Sequence, residues 1–461
     1  MALRTGTAVH LRKAPPCVPI FADRATRVQS RAASQRPADH DLMSHLCSQL
    51  AQRRSIGYRH PRMPQTDSVL LITPRWVRDG GVSAHVESSA AALISAGARV
   101  SVLAARIEAD EQIPGVTVFH SPELFKADAA MDIRFGEALA WQPSVIHLNQ
   151  LDDPEAVTYL RRHAPVVISA HGFLACTAGV HYFRPGQECQ RPHGRGCIAN
   201  LPRCSHVRDP RGLPGAYRHA SRALQALRLC DVAVSYSSAV DRHLMINKVP
   251  RRRIVPYFPT IEPHPGSGHE GRRRVVFAGR IVLPKGVATL IRAAFDVDAE
   301  FVLCGDGRQL EAMRKLAARL GVADRISFKG WLAPGELAEE FGNASIVVVP
   351  SLWPEPFGLV GIEGFAAGRP AVASDTGGIG DWLQDGVSGL SVPAGDARAL
   401  AEALNELLAD PARQREMGEA GRRSLLGRFT RERHVEVLLE AYASAGERWS
   451  EAHAGATSLR G

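Results

Sequence analysis

Apolar positions along the chain gather into short dense runs, with stretches of helical spacing between them. S-V-L-L-I-T-P at 68–74 is a run of buried-strand type, and R-W-V-R-D-G-G-V from Arg75 reads as the loop after it. Val82, Val86, Leu93 and Ile94 then recur near helical spacing up to Gly97, and A-R-V-S-V-L-A-A at 98–105 is the next strand. Strand, helix and strand at this spacing form a βαβ unit, which calls for a parallel sheet. S-V-I-H-L (144–148), P-V-V-I-S-A (165–170) and V-A-V-S-Y-S (232–237) continue the series. Residues 258–271, rich in Pro and Gly, interrupt it and read as a linker. A second series follows, with strands at 274–279, 300–305, 325–330, 345–350 and 370–375. Its helical stretches include Lys285–Phe295 and Gln309–Leu320, and a last strong helix signal lies after Phe429-Thr430. The pattern predicts two doubly wound α/β domains in succession. Ligands in such sheets sit beyond the carboxyl ends of the strands, so a cleft between two of them holds one ligand per domain.

Length agrees with that division, because 461 residues exceed the roughly 250–300 that one core sustains. The 45% hydrophobic and 22% charged fractions are those of a globular protein. No run approaches the roughly 18 apolar residues of a membrane span. The net charge of +9 misleads, because residues 1–66 hold eleven Lys+Arg against three Asp+Glu and the remainder is nearly neutral. A basic folded surface of the kind that binds nucleic acid is therefore not expected. Residues 1–66 read as a disordered basic tail or a misassigned start, with Met63 opening straight into the first strand, in preference to a targeting segment. Beyond the tail, the expected parts are an N-terminal domain at 67–258, a linker at 259–271, a C-terminal domain at 272–430, and a helix and tail at 431–461.

Candidate chemistry is densest in the second domain. Gly279-Arg280-Ile-Val-Leu-Pro-Lys285-Gly286 follows a strand and opens a helix. Arg grips a phosphate bidentately and Lys acts as a point charge, so this pair suits a diphosphate; taken alone, a solvated basic loop is the preferred reading. Further on, P-S-L-W-P-E-P-F-G-L-V-G-I-E ends a loop at Gly358 and begins a helix at Leu359, whose free N–H groups form an anion site. Glu355 falls on the loop and Glu363 one to two turns into the helix, giving two acceptors for sugar or ribose hydroxyls. The eight-residue Glu spacing recurs at Glu262–Glu270 and Glu432–Glu440, so its context marks the pair rather than its spacing.

Taken together, G-G-V (80–82), S-A-H-G (169–172), G-R-x4-K-G (279–286), G-D-G (305–307), P-S-L-W-P-E-P-F-G-L-V-x-x-E (350–363) and T-G-G (376–378) resemble the family 4 glycosyltransferases, over residues 67–445. The resemblance implies the GT-B fold: two doubly wound Rossmann-like domains facing across a cleft, with the C-terminal helix crossing back to the first. It also implies a retaining transfer of a hexose from a nucleotide diphosphate sugar to a hydroxyl of a glycan, lipid carrier or small metabolite, as in polysaccharide biosynthesis. In that scheme Arg280 and Lys285 bind the diphosphate, Glu355 the donor sugar and Glu363 the ribose. Gly279, Phe357, Gly358 and the amides of Leu359 and Val360 line the donor site. Gly80 and Gly81 let the first loop approach the donor, and His171 meets the sugar from the opposite domain unless it merely caps a strand. No cofactor and no catalytic metal are implied, and Asp296-Val-Asp298 reads as turn residues. Gly364 departs from the family's usual Ala, which means either a close contact or a softer helix. I-V-P-Y-F-P (254–259) stands where the family commonly has an Asn-Gly pair, so the linker's geometry is less defined.

Cys176, Cys189, Cys197 and Cys204, within the Cys/His-rich segment 176–210, are spaced more loosely than a zinc ribbon. Unlinked thiols are the preferred reading and a stapling metal the alternative. The triplets Arg251–Arg253 and Arg272–Arg274 serve either solubility and strand edges or attraction to an anionic membrane. The expected location is the cytoplasm, with peripheral membrane contact as an option. Two rivals remain, a non-catalytic nucleotide- or glycan-binding scaffold and a nucleotide-dependent oxidoreductase, the latter disfavoured because no G-x-G-x-x-G follows the first strand.

Overall fold

The computed structural model describes residues 68–77, 81–108, 113–126, 128–176, 182–184, 187–204, 213–262 and 273–458. All belong to one compact unit, Met63–Gly461. The tail 1–66, Gly80, His181, His206, Arg272 and most of the expected linker lie outside the described residues.

In the N-terminal lobe, the chain runs through β1 (Ser68–Trp76), α1 (Gly81–Ser95), β2 (Arg99–Ile107), β3 (Val116–His120), α2 (Met131–Ala140), β4 (Val145–Asn149) and α3 (Pro154–Leu160). It continues with β5 (Val166–Ala170), the short antiparallel pair β6 (Tyr182–Arg184) and β7 (Gln187–Glu188), α4 (Arg195–Cys204), α5 (Leu213–Leu229), β8 (Val232–Ser235), α6 (Ser238–Ile246) and β9 (Arg252–Ile254). Seven strands form one parallel sheet in the order β3-β2-β1-β4-β5-β8-β9.

The C-terminal lobe repeats the scheme with β10 (Arg274–Ala278), α7 (Val287–Ala293), β11 (Glu300–Cys304), α8 (Leu310–Arg319), β12 (Ile326–Gly330), α9 (Pro334–Gly342), β13 (Ile346–Val349), α10 (Leu359–Ala366), β14 (Ala371–Ser374) and β15 (Gly389–Val392). Its sheet is parallel in the order β12-β11-β10-β13-β14-β15. Helices α11 (Ala397–Ala409), α12 (Pro411–Arg428) and α13 (Arg431–Ser458) close the chain. The central strands are Val- and Ile-rich because helices cover both faces, leaving no polar alternation.

Helix α13 packs on α1, β5 and β8 of the first lobe. Tyr442 Oη lies 2.8 Å from His147 Nδ1, and Trp449 Nε1 donates to the Arg161 carbonyl at 2.6 Å. One apolar cluster runs unbroken from Val69 and Leu93 through Tyr257, Phe258, Phe357 and Phe429 to Trp382, so the lobes share a core.

Three expectations change. The loop foreseen from Arg75 begins later, because Arg75 and Trp76 pair with Arg106 and Ile107 and Trp76 is buried. The helix foreseen from Lys285 starts at Val287, because Gly286 adopts φ 68° after a single 3-10 turn. Strands β3, β9 and β15 lie in stretches read as connections; the first two form the edges of the N-terminal sheet and β15 an edge of the other.

Candidate active site

The site forms where the strand order of the C-terminal sheet reverses, between β10 and β13. Loops leaving β10, β11 and β13 press backbone against backbone. Ile281 N–H donates to the Asp306 carbonyl at 2.8 Å, and Leu352 N–H to the Pro284 carbonyl at 2.8 Å. Gly286 leaves no room for a side chain, since a Cβ would lie 1.7 Å from the Pro350 carbonyl oxygen. Gly305 is equally confined, since a Cβ there would lie 1.9 Å from the Gly279 carbonyl oxygen. This packing brings Lys285 Nζ to 2.6 Å from Glu355 Oε1.

Glu355 is 2% exposed, and Ser351 Oγ donates to the oxygen that Lys285 contacts. Burial works to raise its pKa, but the Lys285 charge and the hydrogen bonds from Lys285 and Ser351 outweigh it and hold the carboxyl below its ordinary range. Glu355 is therefore a paired anion at neutral pH. Arg280, on the same loop as Lys285, is exposed and has no ion-pair partner among the described residues. The structure thus brings Lys285 to Glu355 and leaves the Arg280 guanidinium open.

Beside Glu355, helix α10 begins after Gly358, which is left-handed at φ 87°. Trp382 Nε1 donates to the Phe357 carbonyl at 2.7 Å and fixes the turn. The amides of Leu359 and Val360 open the helix ahead of its internal ladder. Gly361 rests on Trp382, where a Cβ would come within 2.2 Å of the ring. Gly364 faces Val347, with Cγ2 at 2.8 Å from the position of a Cβ, so a close contact accounts for the glycine there. Glu363 points inward, 6% exposed, and accepts from Thr260 Oγ1 at 2.8 Å. Burial raises its pKa, and Thr260 offsets part of that. The T-G-G segment flanks Glu355 on its other side: Gly378 N–H donates to the Glu355 carbonyl at 2.7 Å, and Gly377 is left-handed at φ 65°.

From the N-terminal lobe, His171-Gly172 faces this corner. A Cβ on Gly172 would stand 3.8 Å from Pro356 Cγ, and the rings of Tyr257 and Phe357 are 5.1 Å apart. His171 is half-buried, with Nε2 2.9 Å from Asn149 Oδ1 and Nδ1 3.1 Å from Tyr257 Oη. Both nitrogens are therefore engaged. Burial, then the nearby His434, pushes its pKa down to about 3, so it is neutral. Gly81 is left-handed at φ 59° with open space around it, so backbone conformation rather than crowding favours a glycine there.

Sequence reading missed the network behind His171. His147 Nε2 lies 2.7 Å from Ser169 Oγ, which lies 2.6 Å from Tyr236 Oη. Ser89 Oγ lies 3.1 Å from His434 Nε2, whose Nδ1 lies 2.8 Å from the Pro256 carbonyl oxygen. His85 stands among His171, Tyr236, Tyr257 and His434. Burial is the leading cause that lowers all these histidines, His147 to about 3 and His434 to about 4. These residues come from α1, β4, β5, the turn after β8, the 256–258 segment and α13, too far apart in sequence for any local motif.

Two lobes of this topology with the donor-type motifs at one sheet edge narrow the family, and the sequence decides it. Residues 79–257 match Glycosyltransferase Family 4 and residues 262–424 match Glycosyl transferases group 1. The chain belongs to the family 4 glycosyltransferases. Among its relatives, the lipopolysaccharide core biosynthesis glycosyltransferase LpsE of Rhizobium meliloti is 36% identical over 171 residues, 37% of this chain and 49% of that one. The alpha-maltose-1-phosphate synthase of Mycolicibacterium smegmatis is 40% identical over 185 residues, 36% of this chain and 47% of that one. The chain thus spans about half the length of the curated relatives it matches. The solved sucrose-phosphate synthase of Thermosynechococcus elongatus superposes with a TM-score of 0.63 at 22% identity, over 84% of this chain and 100% of that one. Anabaena HepE in complex with UDP gives 0.60 at 16%, over 82% and 100%. At those identities the likeness is one of fold.

The other candidates of this glycosyltransferase-family chain have structural surroundings. Asp296 and Asp298 precede β11, at the edge of the sheet opposite the site, and their carbonyls accept from Asn405 and Arg273. Cys176, Cys189, Cys197 and Cys204 are half-buried and joined by no disulfide among the described residues. Burial, then the three neighbouring thiols, raises Cys204 to about 11. Among the described residues, no group of three or more His, Cys, Asp or Glu is gathered closely enough to hold a metal ion. Of the basic triplets, Arg251, Arg252, Arg273 and Arg274 bond to carbonyls or carboxylates within the fold, leaving Arg253 outward among those described. No described helix is long and apolar enough to cross a membrane.

Proposed function

We propose that this protein is a retaining glycosyltransferase that moves a hexose from a nucleotide diphosphate sugar to a hydroxyl acceptor. The observation that carries this reading is the pairing of half-buried Lys285 with buried Glu355, 2.6 Å apart, beside the open start of α10. A diphosphate placed there would meet the Lys285 ammonium, the Arg280 guanidinium and the amides of Leu359 and Val360. Each counters the charge that grows on the leaving group as the sugar C1–O bond breaks, so donor binding and barrier lowering come from the same groups. Glu355, held ionised, accepts from sugar hydroxyls and faces the positive charge that develops at C1. Glu363 would take the ribose, and Gly279, Phe357 and Gly358 shape the floor.

Front-face attack by the acceptor hydroxyl forms the new C1–O bond on the side from which the diphosphate departs, and the acceptor proton passes to the leaving phosphate oxygen. Lys285 and Ser351 both bond to Glu355 Oε1 and draw charge from the carboxylate, which weakens it as a nucleophile. Neutral His171, anchored by Asn149 and Tyr257, would line the sugar from the opposite lobe, and closure of the lobes would exclude water that otherwise hydrolyses the donor. No metal ion is needed, since cations and amides supply the positive charge. The acceptor would be a glycan, a lipid-linked sugar or a small metabolite, in keeping with a cytoplasmic enzyme in peripheral contact with an anionic membrane.

UDP-glucose is the first donor to try, as HepE in one solved structure holds UDP-glucose. Acceptor-dependent release of nucleoside diphosphate, with the product's anomeric configuration read by NMR, tests the proposal. An inverted product overturns retention. Donor binding without any release overturns the enzyme reading in favour of a binding scaffold.

A further inference from the structure

Two carboxylates cross between the lobes in opposite directions. Asp381, in the C-terminal lobe, accepts from Ser238 N–H at 2.7 Å and from Ser238 Oγ, at the start of α6 in the N-terminal lobe. Glu188, in the Cys/His-rich segment of the N-terminal lobe, accepts from Gly377 N–H at 3.2 Å in the T-G-G segment of the C-terminal lobe. Arg242 joins them: its guanidinium lies 3.5 Å from Glu188 Oε2 and donates to Ser238 Oγ at 3.2 Å. The surfaces between are in contact, because a Cβ on Gly378 would come within 2.9 Å of Ser237 Cβ.

The segment held in this way is the one against which Glu355 is set. Gly377 pairs with Glu355 in a parallel bridge, and a Cβ on Gly377 would lie 2.3 Å from the Glu355 carbonyl oxygen. Any shift of residues 376–378 is therefore passed to the Glu355 backbone, with little slack between them. We propose that Glu188 and Asp381, tied through Arg242, form an interlobe latch in which Glu188 is a positioning residue: it aligns Glu355 by holding the Gly377 amide. The part of the Cys/His-rich segment at Glu188 then acts as part of the transferase site rather than as surface. A charged acceptor on a backbone amide is a stronger tether than a neutral one, which explains a carboxylate at this place. The catalytic part of this inference rests on the glycosyltransferase reading, while the latch itself does not.

Hydrogen exchange on the full-length protein without ligand tests the latch directly. Glu188→Ala should speed exchange at 376–378 by about tenfold, and through Arg242 should also speed it at Ser238. Glu188→Gln, whose amide oxygen still accepts from Gly377, should recover most of the protection. Unchanged exchange at 376–378 in Glu188→Ala would overturn the latch, whatever the protein's activity. With a turning-over donor and acceptor, Glu188→Ala should lower kcat about tenfold with donor KM within twofold, and Glu188→Gln should restore most of kcat. A rise in KM alone, or no rescue by Gln while its melting temperature matches the wild type, would overturn the positioning role. If wild-type protein neither binds nor turns over any donor, the function reading fails and the exchange result still decides the latch.

Discussion

At the carboxyl edge of the N-terminal sheet, side chains bond to one another: His147 to Ser169 and Tyr442, His171 to Asn149 and Tyr257, His434 to Ser89. At the same edge of the C-terminal sheet, backbone packs on backbone through Gly286, Gly305 and Gly377, and the half-buried Lys285 pairs with buried Glu355 beside main-chain amides. The two lobes share a topology, yet one edge ties most of its polar side chains to one another and the other leaves the Arg280 guanidinium exposed beside the start of α10. A doubly wound sheet offers the crevice in both cases, and loop chemistry decides which edge can take a highly charged ligand.

Removing the charge from the open edge has the largest expected effect. Lys285→Ala should lower transfer by about 10²–10³, the loss seen when one donor to a developing anion is deleted. It also strands Glu355 as an unpaired buried anion, so the melting temperature should fall. Adding Glu355→Gln should restore stability while activity stays low. Recovery of activity along with stability would show that the pair is only structural.

Acid sharpens the comparison from the other lobe. His147, His171 and His434, with folded pKa values near 3, 3 and 4, and His85, also lowered, are neutral in the fold. The unfolded chain takes up these protons near pH 6.5, so the stabilisation is complete above that value and is lost as pH falls toward the folded values. Each histidine contributes at most about 1.4 kcal/mol per pH unit in that window. Melting temperature should decline steeply from pH 6.5 to 4, and a flat profile would contradict neutral burial.

Third in size is Gly361→Ala, which drives a methyl into Trp382 and should cost about 1–3 kcal/mol, read as a fall of a few degrees. Gly364→Ala, against the more yielding Val347, should cost less. Smallest is Tyr257→Phe, which removes one bond to His171 and should cost about 1 kcal/mol.

Much of this was legible because buried parallel strands carry unbroken apolar runs. Those at 68–74, 274–279 and 345–350 fall within a few residues of β1, β10 and β13. The loops at 279–286 and 350–363 were legible because their glycines and charged residues stand close together in sequence. Edge strands were not: β3, V-T-V-F-H, is partly exposed along its whole length and lacks such a run. Nor was the histidine network, whose partners lie up to 345 residues apart, as in Ser89 and His434. Gly364 could be flagged from sequence, but only the position of Val347 tells a tight contact from a soft helix.

Thermal melting in UDP and GDP measures directly whether the Lys285–Glu355 corner receives a diphosphate. Wild-type protein should gain about 2.7 kcal/mol at one hundred times the dissociation constant of the nucleotide it accepts. Lys285→Ala should lose most of that gain at the same concentration. A wild-type melting curve indifferent to both nucleotides, or a Lys285→Ala curve that shifts as far as the wild type, would contradict a diphosphate site there.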